Sequence, residues 1–253
     1  NKLVGNKLSE GALEFAYQGP LLELVGHSAM VAVSGKVNFN IITKSGLTKK
    51  GICNECFIVS NGDKIDILSP INSVYGYFSI AGGFKLKEIK GSHSTLVRAK
   101  IGPNNGNKLK SDDKILFNES NSKTNVKKIQ FGFDTDNTIR AMKGLQFNYF
   151  SKRSQEDFFS KQYKVSRLSD RMGMRLEGKK LENIVNKNIK SDGITKGSIQ
   201  IPGDGQPIIL LSDHPTIGGY PKIANIISAD YDKLVQKTPG TIIKFKLVDL
   251  PVA

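Results

Sequence analysis

Short runs of β-branched and aromatic residues, separated by Gly, Asn, Asp and Pro, recur along this chain and limit the folds that it can adopt. The runs are residues 13–17, 30–33, 57–59, 64–68, 74–80, 115–117, 128–133, 138–142, 199–201, 208–212 and 241–248. Short apolar runs bounded by turn residues are typical of β-strands, and their close spacing favours barrels or sandwiches. Helical signals are few: residues 154–157, before Phe158, and residues 229–235 each predict a short helix. The fold class is therefore mainly β.

A faint internal repeat indicates two similar units. Residues 29–36 resemble residues 172–179, the turn at residues 82–84 resembles the turn at 218–220, and residues 110–115 resemble residues 237–242. The similar segments follow the same order in both halves, which favours duplication over chance. We therefore expect a first unit at residues 1–125 and a second at residues 126–253, joined near the polar stretch 118–125. A chain of 253 residues is long enough for each half to bury a core.

Composition and charge exclude two classes of partner. Hydrophobic residues make up 38% of the chain, and no apolar run approaches the ~20 residues that a membrane-spanning helix needs. The net charge of +14 comes mostly from scattered lysines, without a basic helix, an aromatic RNA-binding strand or a zinc finger. We therefore expect no membrane and no nucleic acid as partners. A solvated, lysine-rich surface is the favoured explanation of the charge, with an acidic partner subunit or attraction of anionic substrates as alternatives.

Cys53 and Cys56 form a CxxC pair, which has three interpretations. The pair could be half of a zinc site, a redox pair or two reduced residues beside a strand. Structural zinc takes about four ligands, and the chain has no second CxxC or HxxxH motif. We therefore expect reduced cysteines in a cytoplasmic protein and no bound metal.

The densest set of functional groups lies in residues 197–223, which read GSIQIPGDGQPIILLSDHPTIGGYPKI. Two short apolar runs flank a polar turn at residues 202–207, and a second turn follows at residues 213–222. The second turn gathers a carboxylate, an imidazole, a hydroxyl, a phenol and an ammonium around two glycines. Glycines allow the backbone to approach a ligand closely, so this stretch is the first candidate for a site.

This stretch resembles the C-terminal signature of the allophanate hydrolase subunit 2 family, also called the 5-oxoprolinase C-subunit family, which includes the carboxyltransferase half of urea carboxylase and KipA-like proteins. Further matches lie at residues 1–14, 81–84, 91–95 and 165–178, so the resemblance spans nearly the full chain. It implies two tandem cyclophilin-like β-barrel units with a few short helices. The family usually has a further N-terminal segment, so we expect a truncated or shortened first unit.

The resemblance and the residue chemistry together give the candidate site. Asp204, Asp213 and Asp170 are candidate catalytic groups, because a carboxylate can orient and deprotonate an amide nitrogen. Arg171 and Lys222 could neutralise an oxyanion. The candidate substrate-binding residues are Gln206, Arg171, Thr216, Gly218, Gly219, Tyr220, Lys222, Gly82, Gly83, His93 and His214.

Structural roles remain alternatives for several of these residues. Asp204 could simply cap a turn, and Asp170 with Arg171 could form an ion pair that closes one. His93 and His214 stand where the family has arginine. At these positions a permanent, fork-shaped cation is replaced by an imidazole, whose charge changes near neutral pH.

The family implies three functions. The first is that of the C subunit of an ATP-dependent 5-oxoprolinase, which opens the lactam of 5-oxoproline to glutamate together with a B-type (KipI-like) barrel subunit and an A subunit. The second is biotin-dependent carboxyl transfer, as in urea carboxylase. The third is a non-enzymatic regulator that binds a histidine-kinase inhibitor. An unfused chain without a Met-Lys-Met biotin site favours the first function. ATP would then act through the complex, the substrate would be a small amide, and biotin would matter only for the second function.

Overall fold

The computed structural model describes residues 1–120, 126–130, 132, 136–185 and 189–249. Residue contacts divide the chain into two compact units, Asn1–Gly132 and Phe133–Ala253. This division lies close to the boundary predicted between residues 125 and 126, and the assignment of each half as a domain stays a prediction. Much of the predicted junction at 118–125, and part of the predicted strand at 128–133, lie outside the described residues.

The first unit consists of two four-stranded sheets. One has the strand order β1-β8-β3-β6 and the other β2-β7-β4-β5, and neighbouring strands within each sheet are antiparallel. The strands are β1 Leu13–Ala16, β2 Leu21–Glu23, β3 Ala29–Ser34, β4 Val37–Ile42, β5 Thr48–Lys50, β6 Cys56–Val59, β7 Lys64–Pro70 and β8 Tyr75–Ile80. Along β4, buried Val37, Phe39 and Ile41 alternate with more exposed residues, so one face of this strand packs into the core. Residues from both sheets form that core.

The second unit is a closed seven-stranded barrel with the order β10-β11-β14-β13-β16-β9-β17. Its strands are β9 Thr138–Lys143, β10 Gln162–Val165, β11 Gly173–Gly178, β13 Ser198–Gln200, β14 Ile208–Leu210, β16 Lys222–Ile226 and β17 Ile242–Leu247. A separate pair is formed by β12 Asp192–Gly193 and β15 Ile217–Gly218. One large apolar cluster forms the core of this unit, and in it Phe158 stacks on Phe245 at 4.6 Å between ring centroids.

The predicted fold class, mainly β with a few short helices, is confirmed. Helix α1 spans Lys152–Ser160 and helix α2 spans Ser228–Val235, as the sequence led us to expect. The N-cap of α1 is Ser151, whose hydroxyl accepts the Ser154 N–H at 3.2 Å, so the helix begins two residues before the predicted segment 154–157. The strand predicted at residues 115–117 is wrong: Phe117 forms only an isolated bridge with Phe84. The alternating pattern of β4 was missed.

Strand directions place the loops of the barrel at two ends. Around Asp213, the backbone N–H groups of Leu211 and Asp213 donate to Met172 and Arg171, which joins loops 166–172 and 211–214 at what we term the Asp213 end. At the other end, the Gly144 N–H donates to Ile223, which brings loop 144–146 to the start of β16. We term this the Lys222 end, and it also contains turn 202–207. Strand β14 runs between the two ends.

Candidate functional site

Lys222, the first residue of β16, is a buried cation. Its side chain is 4% exposed, and its Nζ lies 3.0 Å from Asp192 Oδ2. The next residue, Ile223, belongs to the barrel core, so alternation along the strand sends Lys222 to the opposite face. The Lys222 backbone is held by Gln146, whose Oε1 accepts the Lys222 N–H at 3.2 Å. A charge withdrawn from water to this degree requires a partner, and Asp192 supplies one.

Asp192 belongs to a segment that we term the strap, residues 189–194. The strap runs antiparallel to residues 216–219: the Ile189 N–H donates to the Gly219 carbonyl at 2.8 Å, and the Ile194 N–H donates to the Thr216 carbonyl at 3.1 Å. Between these bonds, β12 pairs with β15. Hydrogen bonds from the Lys222 ammonium and from the Gly193 N–H hold the pKa of Asp192 below its usual value. The strap therefore carries the counterion of the buried lysine.

Gly218 and Gly219 allow close packing against the strap and the barrel wall. A Cβ on Gly218 would lie 2.8 Å from Gln200 Nε2, and one on Gly219 would lie 3.2 Å from the Ile189 carbonyl oxygen. Gln200 is 5% exposed and directs its Nε2 toward the Tyr220 carbonyl at 3.4 Å. Tyr220 itself is 40% exposed. A side chain at Gly218 would therefore require Gln200 to move, and one at Gly219 would require a small shift at Ile189 of the strap.

Asp204 and Gln206 lie in the turn at the Lys222 end and make local hydrogen bonds. Asp204 is exposed, and its Oδ1 accepts the Gln206 N–H at 3.0 Å. The Gln206 amide forms a two-way pair with the Gly178 backbone, accepting from its N–H at 3.0 Å and donating to its carbonyl at 3.2 Å. These bonds fit the turn-capping role that the sequence left open. Substrate contact by either side chain stays a prediction.

At the Asp213 end, Asp213 and Arg171 form a two-pronged ion pair. Arg171 donates from Nε to Asp213 Oδ2 at 3.0 Å and from a terminal nitrogen to Oδ1 at 3.1 Å. The carboxylate is 17% exposed and the guanidinium 38% exposed. Asp170 caps the adjacent turn, its Oδ1 accepting the Met172 N–H at 2.8 Å and the Gly173 N–H at 3.1 Å. This geometry gives two of the predicted catalytic carboxylates well-defined partners within the fold.

Three further groups lie near this ion pair or in the loop that follows it. The Tyr231 hydroxyl lies 3.4 Å from Ser212 Oγ, and burial raises the pKa of Tyr231. His214 donates from Nδ1 to the Pro215 carbonyl at 2.6 Å. Thr216 is exposed and offers its carbonyl to the strap. Ligand binding by His214 and Thr216 stays a prediction.

The remaining predicted residues, Gly82, Gly83 and His93, lie in the first unit. Gly82 and Gly83 adopt positive φ angles of 84° and 74°. The Gly82 N–H donates to Asn6 Oδ1 at 2.9 Å. His93 donates from Nδ1 to the Ser9 carbonyl at 3.3 Å. Glycine suits both positions, because residues with a side chain rarely adopt a positive φ angle.

The structure thus divides the predicted residues of the second unit between the two ends of the barrel. Lys222 and Asp204 lie at the Lys222 end, and Gly218, Gly219 and Tyr220 lead up to Lys222. Asp213, Arg171 and Asp170 lie at the Asp213 end. Sequence reasoning missed three residues that hydrogen-bond to Tyr220 or Lys222: Asp192, Gln200 and Gln146. Nothing in the sequence marked Asp192 as the partner of a lysine thirty positions away.

The structure also bears on metals, thiols and membranes. Among the described residues, no cluster of three or more His, Cys, Asp or Glu side chains could hold a metal ion. Cys53 and Cys56 are free thiols. Cys53 donates to the Val37 carbonyl at 2.8 Å and packs against the core between the sheets, whereas Cys56 packs against a separate apolar cluster. Within the described part of the chain, we find no helix that could cross a bilayer.

Comparison with known proteins agrees with this architecture. Residues 1–247 match the family described as carboxyltransferase domain, subdomain A and B. The chain is 35% identical to the 5-oxoprolinase C subunit of Escherichia coli K12 over 188 residues, or 73% of this chain and 59% of that protein. It is 37% identical to the 5-oxoprolinase C subunit of Haemophilus influenzae over 183 residues, or 71% and 58% of the two chains. It is also 28% identical to urea amidolyase of Lachancea kluyveri, across 100% of this chain and 15% of that protein.

Solved structures show the same fold. The Kluyveromyces lactis urea carboxylase superposes with a TM-score of 0.86 at 26% identity, over 98% of this chain and 24% of that one. TTHA0988 superposes with a TM-score of 0.84 at 27% identity, over 97% of this chain and 47% of that one. The chain thus spans less than two thirds of the length of the relatives that it matches. On its sequence and its fold, it belongs to the carboxyltransferase domain family, subdomains A and B.

Proposed function

We propose that this chain works as the C subunit of an ATP-dependent 5-oxoprolinase, together with a B-type barrel subunit and an A subunit in the cytoplasm. The observation that carries this proposal is the level of identity. The two relatives named as 5-oxoprolinase C subunits are 35% and 37% identical to it, whereas the urea amidolyases and the putative urea carboxylase are 25–28% identical. In this function the chain contributes part of a site for lactam C–N hydrolysis, and ATP acts through the complex.

The Lys222 end supplies chemistry that this reaction requires. Attack on a lactam carbonyl, or transfer of a phosphoryl group to its oxygen, places negative charge on oxygen. A fixed cation in a water-poor setting stabilises such charge far better than one in bulk water. Lys222 is such a cation, and its partner Asp192 pairs with Gly218 across the two short strands. Of the candidate catalytic carboxylates, Asp204 lies at this end, whereas Asp213 and Asp170 lie at the Asp213 end.

Reconstitution tests this function. The full-length protein is purified alone and together with the A and B subunits of 5-oxoprolinase from the same source, and glutamate formation from 5-oxoproline is followed with and without ATP. We expect no turnover by the single chain and ATP-dependent turnover by the complex. Robust turnover by the single chain would contradict the proposal that it needs the other subunits. A complex that forms no glutamate would contradict the proposal that 5-oxoproline is the substrate.

Biotin-dependent carboxyl transfer is the second candidate. It is favoured by the urea amidolyase of L. kluyveri, which matches 100% of this chain, and by the fold shared with K. lactis urea carboxylase. The same preparations are given carboxybiotin and urea, and carboxylated product is measured. Product formation without any 5-oxoproline turnover would support this candidate over the first.

A further inference from the structure

In the ion pair between Lys222 and Asp192, the cation is the buried member and the carboxylate is the exposed one. The lysine side chain is 4% exposed, whereas the aspartate is 51% exposed. An ammonium has three N–H donors, and Asp192 is the one partner of Lys222 Nζ among the residues that the structure describes. The ammonium therefore has donor capacity beyond this bond, and it lies close to the surface at which its counterion is exposed.

Asp192 cannot easily follow a moving lysine, because the strap fixes its backbone. Residues on both sides of Asp192 are hydrogen-bonded to residues 216–219, and its own Oδ1 accepts the Gly193 N–H at 2.8 Å. A lysine side chain is long and flexible, and without a fixed anion it would extend toward water. The strap therefore gives the ammonium one position.

We propose that Asp192 is a positioning residue: it holds the Lys222 ammonium so that its remaining N–H groups bind an anionic oxygen of the substrate. This inference rests on the proposed function and names a residue that acts through Lys222. The oxygen is either a carboxylate oxygen of the substrate or the oxyanion that develops on its carbonyl. Asparagine at this position would keep the shape of Asp192 but lose its charge, so it would not hold the Lys222 ammonium in the same way.

The pair can be tested in the isolated chain, independently of any activity. Lysine ammonium groups held in an ion pair exchange their protons slowly enough to give ¹H–¹⁵N signals, and Lys222→Arg identifies the signal of Lys222. We expect this signal in the wild type, its loss in Asp192→Asn, and its retention in Asp204→Asn, an exposed carboxylate at the same end. Absence of the signal in the wild type, or its persistence in Asp192→Asn, would overturn the proposal.

A ligand titration extends this measurement. Sodium 5-oxoproline and sodium acetate are added to the labelled chain at equal ionic strength, with sodium chloride as the control for screening. A shift of the Lys222 signal by either carboxylate, and not by chloride, supports binding of an anionic oxygen. A Lys222 signal that neither carboxylate moves would count against it.

A double-mutant cycle in the assembled complex separates positioning from stability. We expect Lys222→Met to lower kcat/KM by ~10²-fold or more and Asp192→Asn by roughly tenfold or more. The double variant should be no worse than Lys222→Met alone, because residues that act as a unit are non-additive, and Asp192→Glu should recover part of the loss. Additive effects, or a lower Tm for Asp192→Asn with unchanged kcat/KM, would refute positioning. If the wild-type complex does not act on 5-oxoproline, the proposed function fails while the spectra still decide the role of Asp192.

Discussion

Two ion pairs in the second unit bury opposite partners. In the Arg140–Asp230 pair, which joins β9 to α2, the carboxylate is 3% exposed and the guanidinium 47%. Asp230 accepts from the Arg140 backbone N–H at 2.7 Å and from its side chain at 2.6–3.2 Å, and Lys233 Nζ lies 3.8 Å away. In the Lys222–Asp192 pair the cation is buried and has one described partner.

The difference separates a structural charge from one that is available to a ligand. The acceptor sites of Asp230 are taken up by donors from the fold itself, and the Arg140 hydrogen bond keeps the pKa of Asp230 below its usual value. Such a site leaves little for a ligand to contact. Lys222 keeps donor capacity beyond its bond to Asp192, its one partner among the described residues. We therefore expect loss of the first pair to affect stability and loss of the second to affect activity.

The largest effect on stability should come from Arg140→Met. This change removes the side-chain donor of the buried Asp230, which keeps the backbone N–H of residue 140 and the nearby Lys233, so we expect a cost of about 3 kcal/mol of unfolding free energy, at the low end for a broken buried ion pair. Urea unfolding measures the loss. Arg153→Met is the control, because Arg153 is 83% exposed and lies 3.9 Å from Asp157 on the same helix. An equal loss in both variants would remove the distinction between buried and exposed pairs.

Lys222→Met should have the opposite effect to Arg140→Met: activity should fall while stability changes little. We expect turnover of the assembled complex to fall by ~10²-fold, about 2.7 kcal/mol of transition-state stabilisation. Stability should change little, because the exposed Asp192 can be hydrated once its partner is gone. Lys246→Met, an exposed change on β17, serves as the control. A Tm loss in Lys222→Met as large as that of Arg140→Met, with full activity, would make Lys222 a structural residue.

Acid should weaken the Asp230 site in a predictable range. The pKa of Asp230 is lower in the folded state than its unfolded value of 3.8, so its contribution is fully present above that value. The contribution is lost as the pH falls through the lowered folded pKa. We expect the unfolding free energy of the wild type to drop below about pH 4, by at most about 1.4 kcal/mol per pH unit for one proton, and to drop less steeply in Asp230→Asn. Asp232→Asn, exposed on the same helix, should keep the wild-type slope.

The smallest effect concerns a buried hydroxyl that has no hydrogen-bond partner among the described residues. The Tyr163 side chain is fully buried in the barrel core, and its hydroxyl makes no hydrogen bond to the described residues. Tyr163→Phe should raise the unfolding free energy by about 1 kcal/mol at pH 7, because an unpaired buried hydroxyl is costly.

Tyr163→Phe should also change how the unfolding free energy depends on pH at high pH. Burial raises the pKa of Tyr163 above 10, so in the wild type stability should fall as the pH rises above 10, while Tyr163→Phe should fall less. Tyr149→Phe, at a side chain that is 37% exposed, is the control. Destabilisation of Tyr163→Phe at neutral pH would show that the hydroxyl has a partner after all.

Local pattern predicted the elements whose signals lie within a few residues. The strands near residues 64–68 and 241–248, the helix at residues 229–235 and the turn around Asp204 follow from β-branched runs, capping residues and glycines, and the structure contains all of them. The strand predicted at residues 115–117 does not form, because a short apolar run becomes a strand only where the fold supplies a neighbouring strand to pair with. Gly218, Gly219, Tyr220 and Lys222 were named as candidates from the groups gathered in their turn and from the family resemblance, and their role in binding stays a prediction.

The sequence by itself determined a mainly β chain, a glycine-rich turn next to a lysine, and membership of a carboxyltransferase-type family. Only the tertiary structure decided which carboxylate faces that lysine. Asp192, Gln200 and Gln146 come from three separate segments, and Asp204 and Asp213 lie apart although they are nine positions from each other. The physical reason is that strand pairing and barrel closure set these neighbours, and both depend on contacts between residues distant in sequence, which a local pattern does not record.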